Sequence, residues 1–557
     1  MQTIPSIEKT LQELLRQSLS ELHLSASPSF PPRLEIPKDP LHGDLTSNCA
    51  LRLAREQKRA PMEIAELIVQ RLQKRVAETD LRSAVKTIVA SPPGFINFFL
   101  TEGLHQGLLN QILSDPEYGC SRIGEGIPVQ VEFVSANPTG PLSVAHGRQA
   151  AIGDSLCRLL AFCGHPVTRE YYLNDIGLQI ELLGRSLKAR TRQLLGESEA
   201  IPEGGYQGEY LIPIAKKFLE KFGERSRFGE GAEPFKVFAV EEILEMIQKD
   251  LEAFAVQFDV WTRESEIRKK GAVEEVLGEL EKRGVLFEQD GATWFRATAF
   301  GDDKDRVVVK SDGSFTYLAP DIAYHREKFR RGFKRLINLW GPDHHGYIPR
   351  LKAAVTALGY PAENLSILIV QLATLTREGK EIPMSTRLGQ MVTLREVMEE
   401  VGRDASRFFF LMKKLDSHLE FDLELAKRQS LENPVYYIQY AHARISSLIA
   451  FGAERLGSFD RTSVDPSRLT AEEELELLKA LRHFPQTVLS CTRQLEPSLL
   501  IVYLQKLAGL FHRFYQKHRV VTDDLELSRA RFLMVQCIQQ VLAKGLSLLG
   551  VSHPDQM

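Results

Sequence analysis

Apolar residues recur at helical spacing near the start of the chain. Ile7, Leu11, Leu14, Leu15, Leu19 and Leu22 share one face, so residues 7–22 read as an amphipathic helix. Pro28, Pro31, Pro32, Pro37 and Pro40 exclude a helix from the next stretch, because proline lacks an N–H and clashes with the preceding turn. Helical spacing returns at 46–58 and 61–78, and the β-rich VKTIVAS and PPGFINFFL complete a first package. The apolar, β-branched run PVQVEFV (128–134) then reads as a buried strand. A Pro- and Gly-rich loop, SANPTGPL, leads into a helical pattern from Ser143 to Phe162, and HPVTREYYL reads as a second strand. Strand, loop, helix, strand is the βαβ unit of an open parallel sheet. Residues 176–285 read as mainly helical, with glycine-rich, charged breaks at 203–209 and 223–234. After Gly284 the period shortens to two. TWFRAT, DRVVVKS and SFTYLA predict short strands, with a turn at Asp312–Gly313. LINLWG and LSILIVQL predict further strands of the parallel sheet. From about Thr393 the pattern is helical, except for a polar loop at 451–470.

Composition narrows the class. A length of 557 residues implies about three to four domains. Hydrophobic residues at 43% and charged residues at 26% exclude a fibrous or disordered chain. No apolar run reaches the ~18–20 residues that span a bilayer, and no secretory signal pattern opens the chain, so a cytoplasmic protein is expected. The net charge of −3 excludes coating of nucleic acid through bulk charge, but leaves room for a local face that docks one folded RNA. The six cysteines form no C-x-x-C pair, so reduced, mostly buried thiols are expected rather than a zinc knuckle or a disulfide scaffold.

Three segments carry candidate chemistry. The helix starting after Ser143 presents unpaired N–H groups and a partial positive charge that suit a phosphate, and His146 and Arg148 stand in its first turn. The loop before it fits neither a P-loop nor a G-x-G-x-x-G fingerprint. Residues 379–394, GKEIPMSTRLGQMVTL, hold Lys380, Ser385, Thr386 and Arg387. Such a loop could close over a triphosphate and favour charge on a leaving pyrophosphate, or be an ordinary surface loop. Near the C-terminus His512, Arg513, Lys517, His518 and Arg519 interleave with Phe511, Phe514 and Tyr515. That pattern suits splayed bases and phosphates, or equally a solvated helix face beside a core stripe. Asp343, His344 and His345 do not make a metal set, because adjacent side chains point apart.

Taken together, PTGPLSVAHGR and PMSTRLG resemble the two signature motifs of class I aminoacyl-tRNA synthetases. VEFVSANPTGPL, AAIGDSL, REYYLNDIGLQI, SDGSFTYLAPDIAYH, WGPDHHGYI, VTLREVMEEVGRDASRFFFL and NPVYYIQYAHARISSL narrow the resemblance to the bacterial arginyl-tRNA synthetases. It extends through HGDLTSNCALRLA at one end and LAGLFHRFYQKHRVV at the other. The resemblance implies an α/β protein with a Rossmann-like parallel-sheet catalytic domain, an N-terminal α+β add-on domain and a C-terminal all-α anticodon-binding domain. The expected spans are 1–115, 120–423 with a mainly helical insertion at about 180–285, and 424–557.

The resemblance also implies roles. The first signature falls on Ser143, Val144, Ala145 and His146, with Ser143 in place of a histidine and Ala145 in place of a glycine. The second falls on Pro383, Met384, Ser385, Thr386 and Arg387. Thr386 replaces its usual lysine there, so Arg387 or Lys380 is implied as the cation. His344 would line the adenosine or arginine pocket, as would Tyr172, Asn174 and Asp175. Asp321 and Tyr317 would hold the guanidinium from one helix face. Ser135 and Asn137 would hold the amino acid's main-chain groups, and Glu132 would add a further acid. Tyr437, Tyr440, His442, Arg444, Arg513 and Arg519 would meet the tRNA. The expected substrates are arginine, ATP with Mg²⁺, and a tRNA specific for arginine, on a monomer. Two alternatives stay open: a non-catalytic RNA-binding relative, and a class I enzyme for another amino acid.

Overall fold

The computed structural model describes residues 4–24, 32–37, 39–223, 231–382 and 392–557. The sheet that carries the site has five parallel strands: Val129–Glu132 (β1), Val167–Leu173 (β2), Val260–Arg263 (β3), Arg335–Trp340 (β4) and Leu365–Ile369 (β5). Their spatial order is β5-β4-β1-β2-β3. All four residues of β1 are buried, as expected where both faces of a parallel sheet are covered. The strand order reverses between β1 and β4, where Glu132 is registered with Asn338. At such a switch point the connections leave in opposite directions and open a crevice at the carboxyl ends of the strands.

Two elements differ from the periodicity. β3 lies inside the stretch read as helical. It is a half-buried edge strand of four residues, VWTR, too short and too polar to show an apolar run. SFTYLA is not a strand: only Phe315 bridges to Val309, and a helix begins at Leu318. Pro320 falls in that helix's first turn, where its missing N–H costs nothing. Before it, Leu286–Gln289, Ala292–Phe295 and Arg306–Val309 form a separate antiparallel sheet.

At the N-terminus the helices Ile4–Glu21, Cys49–Gln57 and Pro61–Ala77 share a core with a three-stranded antiparallel sheet, around Leu11, Ile64, Ile68 and Phe98. At the C-terminus four long helices, Pro434–Leu456, Glu472–Gln494, Ser498–Lys517 and Leu525–Leu548, form a bundle. The bundle's core is continuous with that of the catalytic sheet. Arg407 forms part of the junction. Its fully buried guanidinium donates to Asp154 of the helix Val144–Phe162, to the Phe254 carbonyl (3.0 Å) and to the Leu549 carbonyl (3.1 Å). Ser155 Oγ donates to the same Leu549 carbonyl (3.3 Å). Gly550 follows with φ +68°, and a Cβ there would lie 2.2 Å from the Arg407 guanidinium. A buried charge needs this pairing, since an unpaired one costs several kcal/mol (about 3–5 when a partner is removed). The cysteines are all free, and only Cys120 is exposed. Among the described residues no helix is long and apolar enough to cross a membrane.

Candidate active site

Helix Val144–Phe162 begins with a capping box. Ser143 Oγ accepts from the His146 backbone N–H (3.5 Å), and the Ser143 N–H donates to His146 Nδ1 (3.1 Å). Histidine here does what glutamate usually does in this motif. Because Nδ1 accepts, the proton of the neutral ring is assigned to Nε2. Enclosure by the cleft walls pushes the His146 pKa down to about 4, so at neutral pH it presents an uncharged N–H donor. Ser143 therefore serves by fixing that ring and capping the helix. Thr393 forms an antiparallel bridge with Ser143, and the Leu394 N–H donates to the Leu142 carbonyl (2.8 Å). The chain that follows residue 391 is thus stitched to the signature turn. Gly147 allows this approach, since a Cβ there would lie 2.7 Å from Leu394. On the other side, Ala373–Arg377 pairs with Lys380–Glu381. Met384, Ser385, Thr386 and Arg387 lie outside the described residues. Lys380 is exposed on its hairpin and is not among the residues lining the cleft.

Arg148 corrects one reading. Instead of facing a phosphate it is fully buried and donates to the carbonyls of Gln371 (2.7 Å), Lys414 (2.9 Å) and Ser417 (2.9 Å). Helical spacing turns it a full step away from His146, into the helix's packed side.

A cleft of about 690 Å³ opens at the carboxyl ends of β1 and β4 and is lined by Ala145 and His146 among others. Beyond β1 the chain takes positive φ at Val134 (+66°) and Ser135 (+39°), a strained conformation for a β-branched residue. It turns Ser135 Oγ between the Glu132 carboxylate (3.1 Å) and the Tyr172 N–H (3.0 Å). Asn137 stands at the exposed rim, bonded to Gln179 (2.7 Å). Glu132 is paired with Lys328, which is fully buried, lies 4.1 Å over the Tyr324 ring and also reaches Asn338 (3.4 Å). Asn338 in turn donates to His325 Nε2 (2.8 Å), and His325 Nδ1–H donates to the Asp321 carbonyl (2.8 Å). That tautomer follows because burial keeps His325 neutral.

Among the described residues Asp321 has no cationic partner at bonding distance. Tyr347 Oη donates to its Oδ2 at 2.7 Å. Burial raises its pKa to about 7, against the Tyr347 bond and Lys328 and with help from the charges of Glu132 and Glu264. Glu264 is a third carboxylate on the cleft; it accepts from Arg268 (3.0 Å) and, with the Asn174 amide turned so that its nitrogen faces the acid, from Asn174 (3.2 Å). The buried Tyr172 hydroxyl faces these acids without a well-formed hydrogen bond.

Several predicted residues fall elsewhere. Tyr317 lines the mouth but is 78% exposed and contributes no phenol to Asp321, because it is the residue preceding the helix rather than part of its first full turn. Asp175 is turned to Ser265, whose N–H and hydroxyl it accepts at 2.9 and 2.6 Å. His344 reaches the cleft on an exposed turn beside Trp340, while His345 does not. Lys328, Asn338, Glu264 and Tyr347 were not singled out from the sequence. One signal was present: Asp321, His325 and Lys328 stand at i, i+4 and i+7, which puts two charges and an imidazole on one helix face.

On the C-terminal bundle Tyr437 packs 4.6 Å from His512, Tyr436 and Tyr440 stack at 6.0 Å, and the Arg444 guanidinium lies 4.6 Å over Tyr515. Arg519 is exposed, and Arg513 is exposed while paired with Glu476 (2.9 Å). His442 is a correction: it is buried and bonded to the Pro554 carbonyl (3.0 Å), so it faces the chain's own tail rather than RNA.

Known proteins match this arrangement along the whole chain. Residues 9–100 match the arginyl tRNA synthetase N terminal domain, 108–422 the class I (R) tRNA synthetase catalytic domain, and 438–557 the DALR anticodon binding domain. The arginine–tRNA ligase of Geobacillus kaustophilus is 46% identical over 100% of both chains. This chain belongs to the arginyl-tRNA synthetase family. The arginine–tRNA ligase of Syntrophotalea carbinolica is 47% identical over 96% of each chain. The solved arginyl-tRNA synthetase of Thermus thermophilus shares the fold, with a TM-score of 0.78 over 99% of this chain and 100% of that one at 23% identity. The capping box at Ser143 and the bridge from Ser143 to Thr393 both lie within the stretch that matches the class I (R) catalytic domain.

Proposed function

We propose that this chain is an arginine–tRNA ligase. It activates arginine with ATP to arginyl-adenylate, releases pyrophosphate, and passes the arginyl group to the terminal adenosine of a tRNA specific for arginine. The observation that carries the specificity is the set of acids on one cleft. Glu132 is paired with Lys328, whereas Asp321 is buried with a phenol as its hydrogen-bond partner and two more carboxylates nearby, Lys328 acting on it only from a distance. That pocket suits a planar, permanently charged guanidinium, which can pair with a carboxylate bidentately. A neutral side chain would leave the acid buried and unpaired.

In the first step the arginine carboxylate attacks the α-phosphorus in line, and the bond from that phosphorus to the pyrophosphate oxygen breaks. The protein positions and stabilises rather than bonding covalently. Ser135 and Asn137 hold the amino acid's main-chain end. His146 Nε2–H donates to a phosphate oxygen at the helix N-terminus, with Ser143 fixing the ring and Ala145 and His344 flanking the adenosine. Met384 and Ser385 belong to the second signature and are assigned to the triphosphate, with Arg387 or Lys380 supplying the cation. Mg²⁺ enters with the triphosphate as part of that substrate. Tyr437, Tyr440 and Arg444, with Arg513 and Arg519, offer platforms and charge to the tRNA.

We read the chain as three domains at 1–115, 120–423 and 424–557, acting as a cytoplasmic monomer. The test is ATP–pyrophosphate exchange and tRNA charging across the amino acids, with tRNA present. Arginine alone should support both, and a chain that charges another amino acid equally well would overturn the reading.

A further inference from the structure

We propose that Tyr347 is a positioning residue for arginine, holding Asp321 Oδ2 so that Oδ1 and the free lone pairs face the substrate. This rests on the reading of Asp321 as the acid that binds the guanidinium. Tyr347 comes from a different element, the junction of the turn Pro342–Tyr347 with the helix Ile348–Ala357, and its hydroxyl lies 2.7 Å from Oδ2. The ring is fixed on two sides. It meets Trp340, which lines the cleft, at 6.0 Å and 66°, and the Arg350 guanidinium lies 4.9 Å over it.

A carboxylate has about four acceptor sites, so one phenol leaves room for both N–H groups of an incoming guanidinium. Burial beside Asp321 drives the Tyr347 phenol far above its ordinary range, so it stays a donor at any working pH.

The groups around Asp321 make this bond consequential. Glu132 from β1 and Glu264 from the helix after β3 oppose its ionisation, and Lys328 on its own helix favours it. His325, neutral, holds only its backbone carbonyl, and Tyr172 from β2 stays protonated beside it. The Tyr347 hydrogen bond is the contact that favours the anion most among those named.

The experiment is Tyr347→Phe in the full chain, with kcat/KM for arginine followed from about pH 6 to pH 9 at saturating ATP and tRNA. A hydrogen bond to a charged group is worth roughly tenfold or more, so kcat/KM at neutral pH should fall about that much, mainly through KM. The acid limb should move up by about one pH unit, and the deficit should shrink as Asp321 ionises at the alkaline end. A residue that merely supported the fold would depress activity alike at every pH. Asp321→Asn is measured alongside. If Tyr347→Phe leaves the limb where it was while Asp321→Asn loses arginine charging, the positioning role is overturned and the site reading stands. If Asp321→Asn charges arginine normally, both are overturned.

Discussion

Asp321→Asn separates charge from shape. The amide has the same outline, so no cavity opens, and its oxygen can still accept from Tyr347 (2.7 Å in the parent). What is lost is the attraction between a carboxylate and the substrate's guanidinium. Two unit charges about 4 Å apart at an effective dielectric near 20 interact by about 4 kcal/mol, in line with the ~3–5 kcal/mol lost when a buried charge loses its partner. The expected fall in kcat/KM for arginine is therefore roughly 10²–10³.

The same substitution has an opposite effect on the empty protein. Burial holds the Asp321 pKa at about 7, above the carboxylate value of 3.8. An acid whose folded pKa is raised carries no penalty below its unfolded pKa. The penalty grows from about pH 4 to pH 7 and is full above that, reaching a few kcal/mol. Asparagine removes it, so at neutral pH the variant should melt higher than the parent while charging arginine far more slowly. The parent's kcat/KM should also rise with pH through about 7, and the variant's should be flat. The assays are arginine-dependent charging at saturating ATP and tRNA, and a thermal melt without ligands. Charging within a few-fold of the parent would refute the reasoning and move the anchor to another cleft acid, Glu132 or Glu264.

Further expectations follow from other parts of the molecule. His146→Ala should lower the single-turnover rate of adenylate formation roughly 10²–10³-fold with little change in the KM for arginine, and a near-normal rate would assign the phosphate donor elsewhere. Arg148→Met strips the buried donor from the carbonyls of Gln371, Leu372, Lys414 and Ser417, so the melting midpoint should drop by several degrees. A phosphate ligand at that position would instead raise the KM for ATP and leave the midpoint alone. Tyr440→Ala should raise the KM for tRNA about tenfold, the scale of one lost base stack, and an unchanged value would remove this helix face from the RNA contact.

The long apolar signals were readable and the short polar ones were not. The helix Val144–Phe162 and the strands β1, β2, β4 and β5 followed from apolar runs and spacing, as did the helical character of the C-terminal region, though not its four-helix arrangement. β3 escaped because an edge strand of four half-buried residues carries no alternation. At the cleft, the resemblance pointed to His146 and Asp321, which both line it, but not to what they touch. The Tyr347–Asp321 bond joins residues 26 apart, and the Glu132–Lys328 pair joins residues 196 apart. Such pairs exist only once β1 and β4 are registered. Tyr317 shows the reverse error: i,i+4 spacing predicts a shared face only when both residues are inside the helix, and Tyr317 is its cap. His442 sits in a helix whose tyrosines are half-buried, yet its own ring is turned onto Pro554. Deleting everything past 423 would for a related reason test folding rather than RNA reading, because Arg407 would lose its Leu549 partner.

The Leu549 carbonyl also sets an order of events during synthesis. Ser155, on the helix that would receive ATP, waits for an acceptor 394 residues downstream. Until that segment leaves the ribosome, Arg407 has neither the Leu549 carbonyl nor the close cover of Gly550. Early domains fold while later ones are still being made. The helix Val144–Phe162 can therefore form early but settle only late. Nascent chains should thus hold this helix loosely packed until the C-terminal bundle is made, so the two ends of the chain become one rigid unit only at the last step of synthesis.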